Sequence, residues 1–373
     1  MRIAIITSLN GGVGTFVSQL VKELSLYEDV EAIDIFTYSD DKFKVPLQIP
    51  DSKVKIVTNG SRWSFLPRLL LHILRLRKYD IIHHISSHVA FFLVYYIVGK
   101  IWKIPIISTN HAHPNVRLGK DQGIVGLLER IENLFLKFVV YRSKKLVVLT
   151  RTVAKRFEEA YGVKPIVVYH GVDRERFKFN ESKREKTREE LKLDSNTVVV
   201  LFVGKLWEHK DVLTLIEAVP KVLKKCNNLK VIVVGDGPLY NSMIKKIKEL
   251  GIKEHVIVKK FVEDISAYYS AADIFVMPSI KEEFGLVYVE AMTCGLPVIA
   301  VNGHVVPEIV GDAGLLFEPR NSDDLADKII ELINNKELYE KLRRKGLERA
   351  KRFTWEKAAK QYYKIYKEVL NRR

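Results

Sequence analysis

Apolar and polar positions fall into two long series along this chain. In the first, short runs rich in β-branched residues at 3–7, 31–38, 54–57, 79–83, 105–109, 145–149 and 166–169 read as strands. Segments with apolar residues at helical spacing separate many of them: 16–26, 89–100, 123–141 and a stretch ending at Tyr161. Strand and helix alternating at this interval predict a doubly wound parallel sheet. Residues 173–194 then turn charged and lose large apolar side chains after Phe179, which predicts a polar connecting segment. A second α/β series follows, with strands at 197–203, 231–234, 256–258, 274–277 and 297–301, and closes in helices. The expectation is two doubly wound α/β domains facing a cleft, divided at 172/173.

Length and composition agree with that picture and narrow the partners. A chain of 373 residues supports two cores of ordinary size, and 47% hydrophobic with 28% charged residues describes a folded globular protein rather than a disordered one. The formal charge of +16 implies attraction to an anion, but a nucleoside diphosphate, lipid head groups and nucleic acid all satisfy it. Cys226 and Cys294 lie on separate helical patterns with no metal-ligand spacing, which suits a reducing cytosol. The apolar run at the N-terminus is too short for a signal peptide, and the longest such run, 89–98, is too short to span a bilayer.

The most informative stretch is 278–297. It lies between two predicted strands and contains one short helix, apolar on nearly every face from Leu286 to Cys294 except at Glu290. A carboxylate buried there requires a partner. Glu282 lies eight positions earlier in the approach loop, and Gly285 allows a ligand close to the backbone at the helix N-terminus. Two carboxylates and several free N–H groups are thus predicted to face one crevice. In the second half, Gly204, Lys205 and Lys210 follow a strand end, where ligands of open α/β sheets bind, and two cations there suit a diphosphate. Asp211 is placed to cap the next helix. Asn10-Gly11-Gly12-Val13-Gly14 makes a glycine-rich turn after the first strand, without the glycine spacing of a dinucleotide fingerprint.

At these residues the chain resembles the retaining nucleotide-sugar glycosyltransferases of family GT4, which have the GT-B fold of two Rossmann-like domains. The pattern of Glu, seven residues, Glu reads Glu282 to Glu290, with Phe284-Gly285 after the first and Ala291-Met292 before Cys294-Gly295-Leu296-Pro297. Glu283 stands where a Gly commonly follows the first Glu; both remain candidates for the sugar, and the spacing to Glu290 favours Glu282. Lys205 stands where the family usually has Arg, and Asp211 where it has Gly. The resemblance implies that Glu290 accepts hydrogen bonds from ribose hydroxyls, that Glu282 fixes the donor sugar, and that Lys205 and Lys210 neutralise the leaving diphosphate. Phe284, Gly285 and Leu286 complete the implied donor site.

The resemblance also implies that Gly11, Gly12 and Gly14 approach the donor phosphates and acceptor, and that His111 lies beside the transferred sugar, with His113 its close competitor. Gly235-Asp236-Gly237-Pro238 is a supporting turn. Gly303-His304 matches a loop that often carries two adjacent glycines, and no contact is assigned to it. His170-Gly171-Val172-Asp173 marks the hinge, and the tail 355–373 is implied to return to the first domain, leaving 173–354 as the nucleotide-sugar-binding half. His83, His84 and His88 cluster without the ligand spacing of zinc.

Residues 62–78 place Arg68, His72 and Arg75 on one helical face behind Trp63 and Phe65, which fits an interfacial helix on an anionic membrane and equally a core helix before the next strand. The expected function is transfer of a sugar from a UDP- or GDP-linked donor to a glycan, lipid-linked or small-molecule acceptor with retention of configuration, with no obligatory metal and no cofactor. The expected location is cytoplasmic or peripheral at the membrane face, with no nucleic acid as partner. The alternatives are a basic nucleic-acid-binding protein, which calls for a basic stripe interleaved with aromatics, and a non-catalytic membrane adaptor, which has no need of the Glu pair.

Overall fold

The computed structural model describes residues 1–7, 11–37, 52–58, 76–86, 96–111, 134 and 136–371. The chain divides into two compact units, Met1–His170 with Trp355–Arg373, and Gly171–Thr354.

The first unit is built on a seven-stranded sheet in the order β3-β2-β1-β4-β5-β6-β7: β1 (Arg2–Thr7), β2 (Ala32–Thr37), β3 (Val54–Thr58), β4 (Ile81–Ser86), β5 (Ile106–Asn110), β6 (Lys145–Val148) and β7 (Ile166–Val167). Every pairing is parallel. Strands buried on both faces read as continuous apolar runs, as Ile3, Ala4, Ile5 and Ile6 do. Helix α1 (Gly11–Ser25) covers one face. It begins at Gly11, so Gly11, Gly12 and Gly14 form its first turns rather than a turn that precedes a helix at residue 16. The last helix, Trp355–Leu370, packs on α1 and brings Trp355, Ala358, Ala359, Tyr362, Ile365, Tyr366 and Val369 into the same core as Phe16 and Leu20. Hydrogen bonds lock it there: Tyr366 and His83 Nδ1 lie 2.7 Å apart, His83 Nε2 and Thr109 2.7 Å, and Thr109 and Tyr362 3.0 Å.

The second unit has six parallel strands in the order β10-β9-β8-β11-β12-β13. They are β8 (Val198–Val203), β9 (Leu229–Val234), β10 (Val256–Lys259), β11 (Ile274–Met277), β12 (Val298–Val301) and β13 (Gly314–Phe317). The last is absent from the sequence reading, which placed only helices after residue 301. The polar segment 173–194 also differs from expectation, because Glu181–Glu190 is a helix with Asn180 as its N-cap. Its arginines hold it in place: Arg184 donates to the carbonyls of Ser270, Ala271 and Ala272, and the buried Arg188 to those of Ala271, Asp194 and Thr197. Charge-assisted bonds to carbonyls do here what an apolar stripe does in most helices.

In both sheets the order reverses direction beside the first strand, between β1 and β4 and between β8 and β11. Ligands of open α/β sheets bind beyond the strand ends at such a reversal. The amphipathic stretch expected at 62–78 falls outside the described residues up to 75, as do His88 and His113.

Candidate functional site

Both loops beyond the reversal in the second unit carry predicted site residues. After β8 come Gly204 to Asp211, and after β11 come Pro278 to Gly285. Backbone bonds tie the loops together: Ile280 N–H donates to the His209 carbonyl at 2.9 Å, and the buried Ser279 hydroxyl to the same oxygen at 3.1 Å. Within that frame Lys210 Nζ meets Glu282 Oε1 at 2.6 Å, with 18% and 8% of the two side chains exposed. Sequence reasoning assigned these residues to different parts of a ligand; the structure brings them into contact with each other. A charge-assisted bond this short fixes the direction of the carboxylate.

Asp211 is left-handed, with φ 51°, and its side chain does not bond the backbone of the helix it precedes. Instead its Oδ2 accepts from the Thr214 hydroxyl at 2.7 Å. Asp211 thus stands at the predicted N-cap position, where its carbonyl accepts from Thr214 N–H at 3.2 Å beside the side-chain pair. The left-handed backbone accounts for the glycine expected by family pattern at this position, since Asp is among the residues that tolerate it best.

His304 repeats that relationship. It stands where a second glycine was expected, its φ is 57°, and its Nδ1 lies 2.7 Å from the carbonyl oxygen of Glu282. A carbonyl can only accept, so the proton is on Nδ1. Sequence reasoning assigned this residue no contact. The signal available was a non-glycine side chain at a position favouring positive φ, which costs about 1–3 kcal/mol and persists where surrounding structure holds it.

Gly285 itself has φ 82°, and a Cβ there would lie 2.5 Å from the Tyr288 ring, so glycine is required at the start of the helix Leu286–Thr293. Phe284 is buried edge-on against Phe353, ring centroids 5.7 Å apart, and Leu286 is half-buried at the first helical position. Glu290 projects from this helix and accepts from the Tyr269 hydroxyl at 2.9 Å. Part of the residue reaches the surface, but its carboxyl is enclosed, and that desolvation pushes its pKa up to about 7 against the pull of the Tyr269 bond and the Arg176 charge. Glu282 and Glu290 thus have separate partners and different electrostatic settings.

Lys205 sits 5.1 Å from the centre of the Trp207 ring, a cation–π pair on a tryptophan that is 47% exposed. Beside it, a Cβ on Gly235 would lie 1.9 Å from the Gly204 carbonyl oxygen, and one on Gly237 2.8 Å from that of Leu206. These glycines let the turns after β8 and β9 pack backbone to backbone.

In the first unit His111 follows β5. Its ring meets Phe16 edge-on at 4.8 Å and lies 5.1 Å from His170, which stacks on Phe16. Burial of the ring lowers its pKa to about 4, so it is neutral near pH 7. Its Nε2 has no hydrogen-bond partner among the described residues. Gly12, near the start of α1, has open space where a Cβ would be.

Comparison with known proteins matches residues 10–176 to the family described as Glycosyltransferase Family 4 and residues 183–349 to Glycosyl transferases group 1. An uncharacterised glycosyltransferase of Methanocaldococcus jannaschii is 30% identical over 372 residues, covering 96% of this chain and 95% of its own. The N-acetyl-alpha-D-glucosaminyl L-malate synthase of Bacillus anthracis is 27% identical, covering 78% and 74%. Among solved structures, Anabaena HepE in complex with UDP superposes with a TM-score of 0.82 at 22% identity, over 99% of this chain and 100% of its own. WaaG, a glycosyltransferase involved in lipopolysaccharide biosynthesis, superposes at 0.77 with 17% identity, over 98% and 99%. With two parallel Rossmann-like sheets and sequence similarity along nearly its whole length, the chain belongs to the GT4 glycosyltransferases of GT-B fold.

Proposed function

We propose that this glycosyltransferase moves a hexose from a nucleoside-diphosphate sugar to a hydroxyl of a glycan, lipid-linked or small-molecule acceptor, with retention of configuration. The observation that carries the reading is the Lys210–Glu282 pair at the sheet reversal of the second unit, with Glu290 on the helix that follows. Glu282 orients the donor sugar, Glu290 accepts from ribose hydroxyls, and Lys205 and Lys210 take up charge on the leaving diphosphate. Similar folds crystallised with UDP and with UDP-glucose support a nucleotide-sugar donor. No second carboxylate is assigned as nucleophile among the described residues, so we favour front-face displacement. The bond from the anomeric carbon to phosphate oxygen breaks, the acceptor oxygen bonds the same face, and its proton passes to the leaving phosphate. His111, neutral near pH 7, is the first unit's candidate for catalytic work. The reading is tested by thermal shift with UDP, GDP and ADP, followed by the matching sugar nucleotides and the anomeric proton coupling of the product. No shift with any nucleotide removes the donor assignment, and an inverted product removes retention.

A second observation favours an anionic membrane surface as partner, at a place other than residues 62–78. Residues 96–101 and 136–142 are helical and meet through Tyr96 and Phe138, with ring centroids 5.1 Å apart. Ile97, Ile101, Leu134 and Tyr141 are 51, 60, 69 and 58% exposed, and the exposed Lys100, Lys103, Lys137, Arg142 and Lys144 are interleaved with them. Large apolar side chains among basic ones suit the head-group region of an anionic bilayer. No helix among the described residues is long and apolar enough to cross a membrane.

A further inference from the structure

We propose that His304 is a positioning residue for the transfer step, and that it acts through the main chain of Glu282. The inference rests on the reading of Glu282 as the donor-sugar carboxylate. Two anchors hold Glu282 from different directions. Lys210 Nζ takes Oε1 at 2.6 Å, and His304 Nδ1–H donates to the peptide oxygen at 2.7 Å. The first fixes where the carboxylate points and the second fixes the peptide it hangs from. Without the second anchor, a glutamate on a loop keeps its ion pair while its backbone is free to rotate. The carboxylate then loses its aim.

The loop that carries His304 is itself held. Asn302 N–H donates to the Phe317 carbonyl at 2.7 Å, which ties the loop to the end of β13. Gly303 N–H reaches the Val301 carbonyl at 2.9 Å, and Val306 N–H closes a turn onto the Gly303 carbonyl at 3.1 Å. Beyond it, Arg349 Nε and Nη2 donate to the carbonyls of Ile309 and Glu308, both at 2.6 Å. An imidazole on such a platform cannot follow a moving partner, so it restrains the Glu282 loop. The left-handed φ of 57° directs the ring where a glycine would leave nothing. Strain retained at a residue with a specific contact to a site loop is the pattern expected of functional positioning.

The backbone conformation makes a sharp test available. His304→Gly removes the ring and relieves the left-handed strain, so the fold is not put at risk; His304→Asn keeps a donor on a residue that tolerates the conformation. The substrate is whichever of UDP-glucose, UDP-N-acetylglucosamine and GDP-mannose raises the melting temperature, and its turnover is read as nucleoside diphosphate released. In His304→Gly we expect an unchanged or higher melting temperature, nucleoside-diphosphate affinity within about twofold, and kcat lower by about 10- to 100-fold with donor KM little changed. His304→Asn should recover part of kcat. Full kcat in His304→Gly overturns the proposal, as does a parallel fall of kcat, affinity and melting temperature, or no recovery in His304→Asn. Glu282→Gln, measured alongside, separates the two levels. If it is inactive while His304→Gly is active, only the role of His304 falls. If it is fully active, or if none of the three donors stabilises the protein, the site reading falls and this inference with it.

Discussion

Lys210 and Glu282, 72 residues apart in sequence, form a 2.6 Å ion pair between the loops that end two neighbouring strands. Each residue was expected to serve a ligand. In the structure they bond each other, so on the proposed role a diphosphate meets a lysine already oriented and a carboxylate already neutralised. Preorganised charge of this kind needs little rearrangement when the leaving group develops its own.

The pair gives the first prediction. Lys210→Met leaves the Glu282 carboxylate enclosed without its cation and should lower stability by up to about 3 kcal/mol. Glu282→Gln should cost less, since a neutral amide oxygen still accepts from Lys210. The double variant should recover most of the loss, measured as a denaturant-unfolding cycle. In the same set, Lys210→Met should weaken nucleoside-diphosphate binding by about 1.5–3 kcal/mol and leave the nucleoside unaffected. Losses that simply add would show the residues to be energetically independent, and equal weakening of both ligands would remove Lys210 from the diphosphate.

How much of this was legible in the sequence depends on what kind of force holds each part. The parallel strands were visible because a strand buried on both faces becomes an apolar run, as in Val198–Val203. Gly314–Phe317 was not, since it is four residues long, opens on Gly and follows a short turn. The helix Glu181–Glu190 was invisible to periodicity because it contains no large apolar residue; it is held by Arg184 and Arg188 on carbonyls some 80 residues away, a kind of bonding that leaves no pattern. At the site, the carboxylates and lysines were singled out from spacing, strand ends and the family pattern. The contacts among them required knowing that β8 and β11 are neighbours. His304 was passed over because its sequence context names a turn, whereas its contact arises only when that turn folds back over Glu282.

The exposed apolar and basic side chains at residues 97–103, 134 and 137–144 give a prediction about partition. The protein should float with vesicles containing phosphatidylglycerol and not with pure phosphatidylcholine, and added salt should release it. Ile97→Ser combined with Tyr141→Ser should weaken binding at least about tenfold, because roughly 0.8 kcal/mol is lost per buried CH₂ removed from the lipid. Lys100→Glu with Lys103→Glu should reduce it by about the same factor at low salt and by less at high salt. Undiminished flotation of both variants would move the contact elsewhere, and absence of flotation in the parent would end the membrane reading.

Glu290 gives the last prediction, because its protonation moves stability and binding in opposite directions. Burial raises its pKa in the folded chain to about 7, while an unfolded glutamate has about 4.3. Between these values the folded state holds a proton that the unfolded state has released. The stabilisation is therefore fully present below about pH 4.3 and is lost as pH rises through about 7. On the proposed role, in which ribose hydroxyls donate to the carboxylate, nucleotide affinity should run the other way, rising from pH 5.5 to 8 as Glu290 ionises. Tyr269 does not compete for the change, since burial and the adjacent Glu290 keep its hydroxyl protonated, its pKa raised well above the ordinary value. Glu290→Gln retains an acceptor oxygen but no charge and no titration. Its affinity for the nucleoside diphosphate that stabilises the parent should be about tenfold weaker at pH 8, nearly equal at pH 5.5, and flat between. The same variant should be the more stable protein at pH 8, since the cost of an ionised buried carboxyl is gone. Calorimetric titration across that range reads the first effect and thermal unfolding the second. An affinity profile in Glu290→Gln that rises in parallel with the parent would assign the pH dependence to another group and take Glu290 away from the ribose.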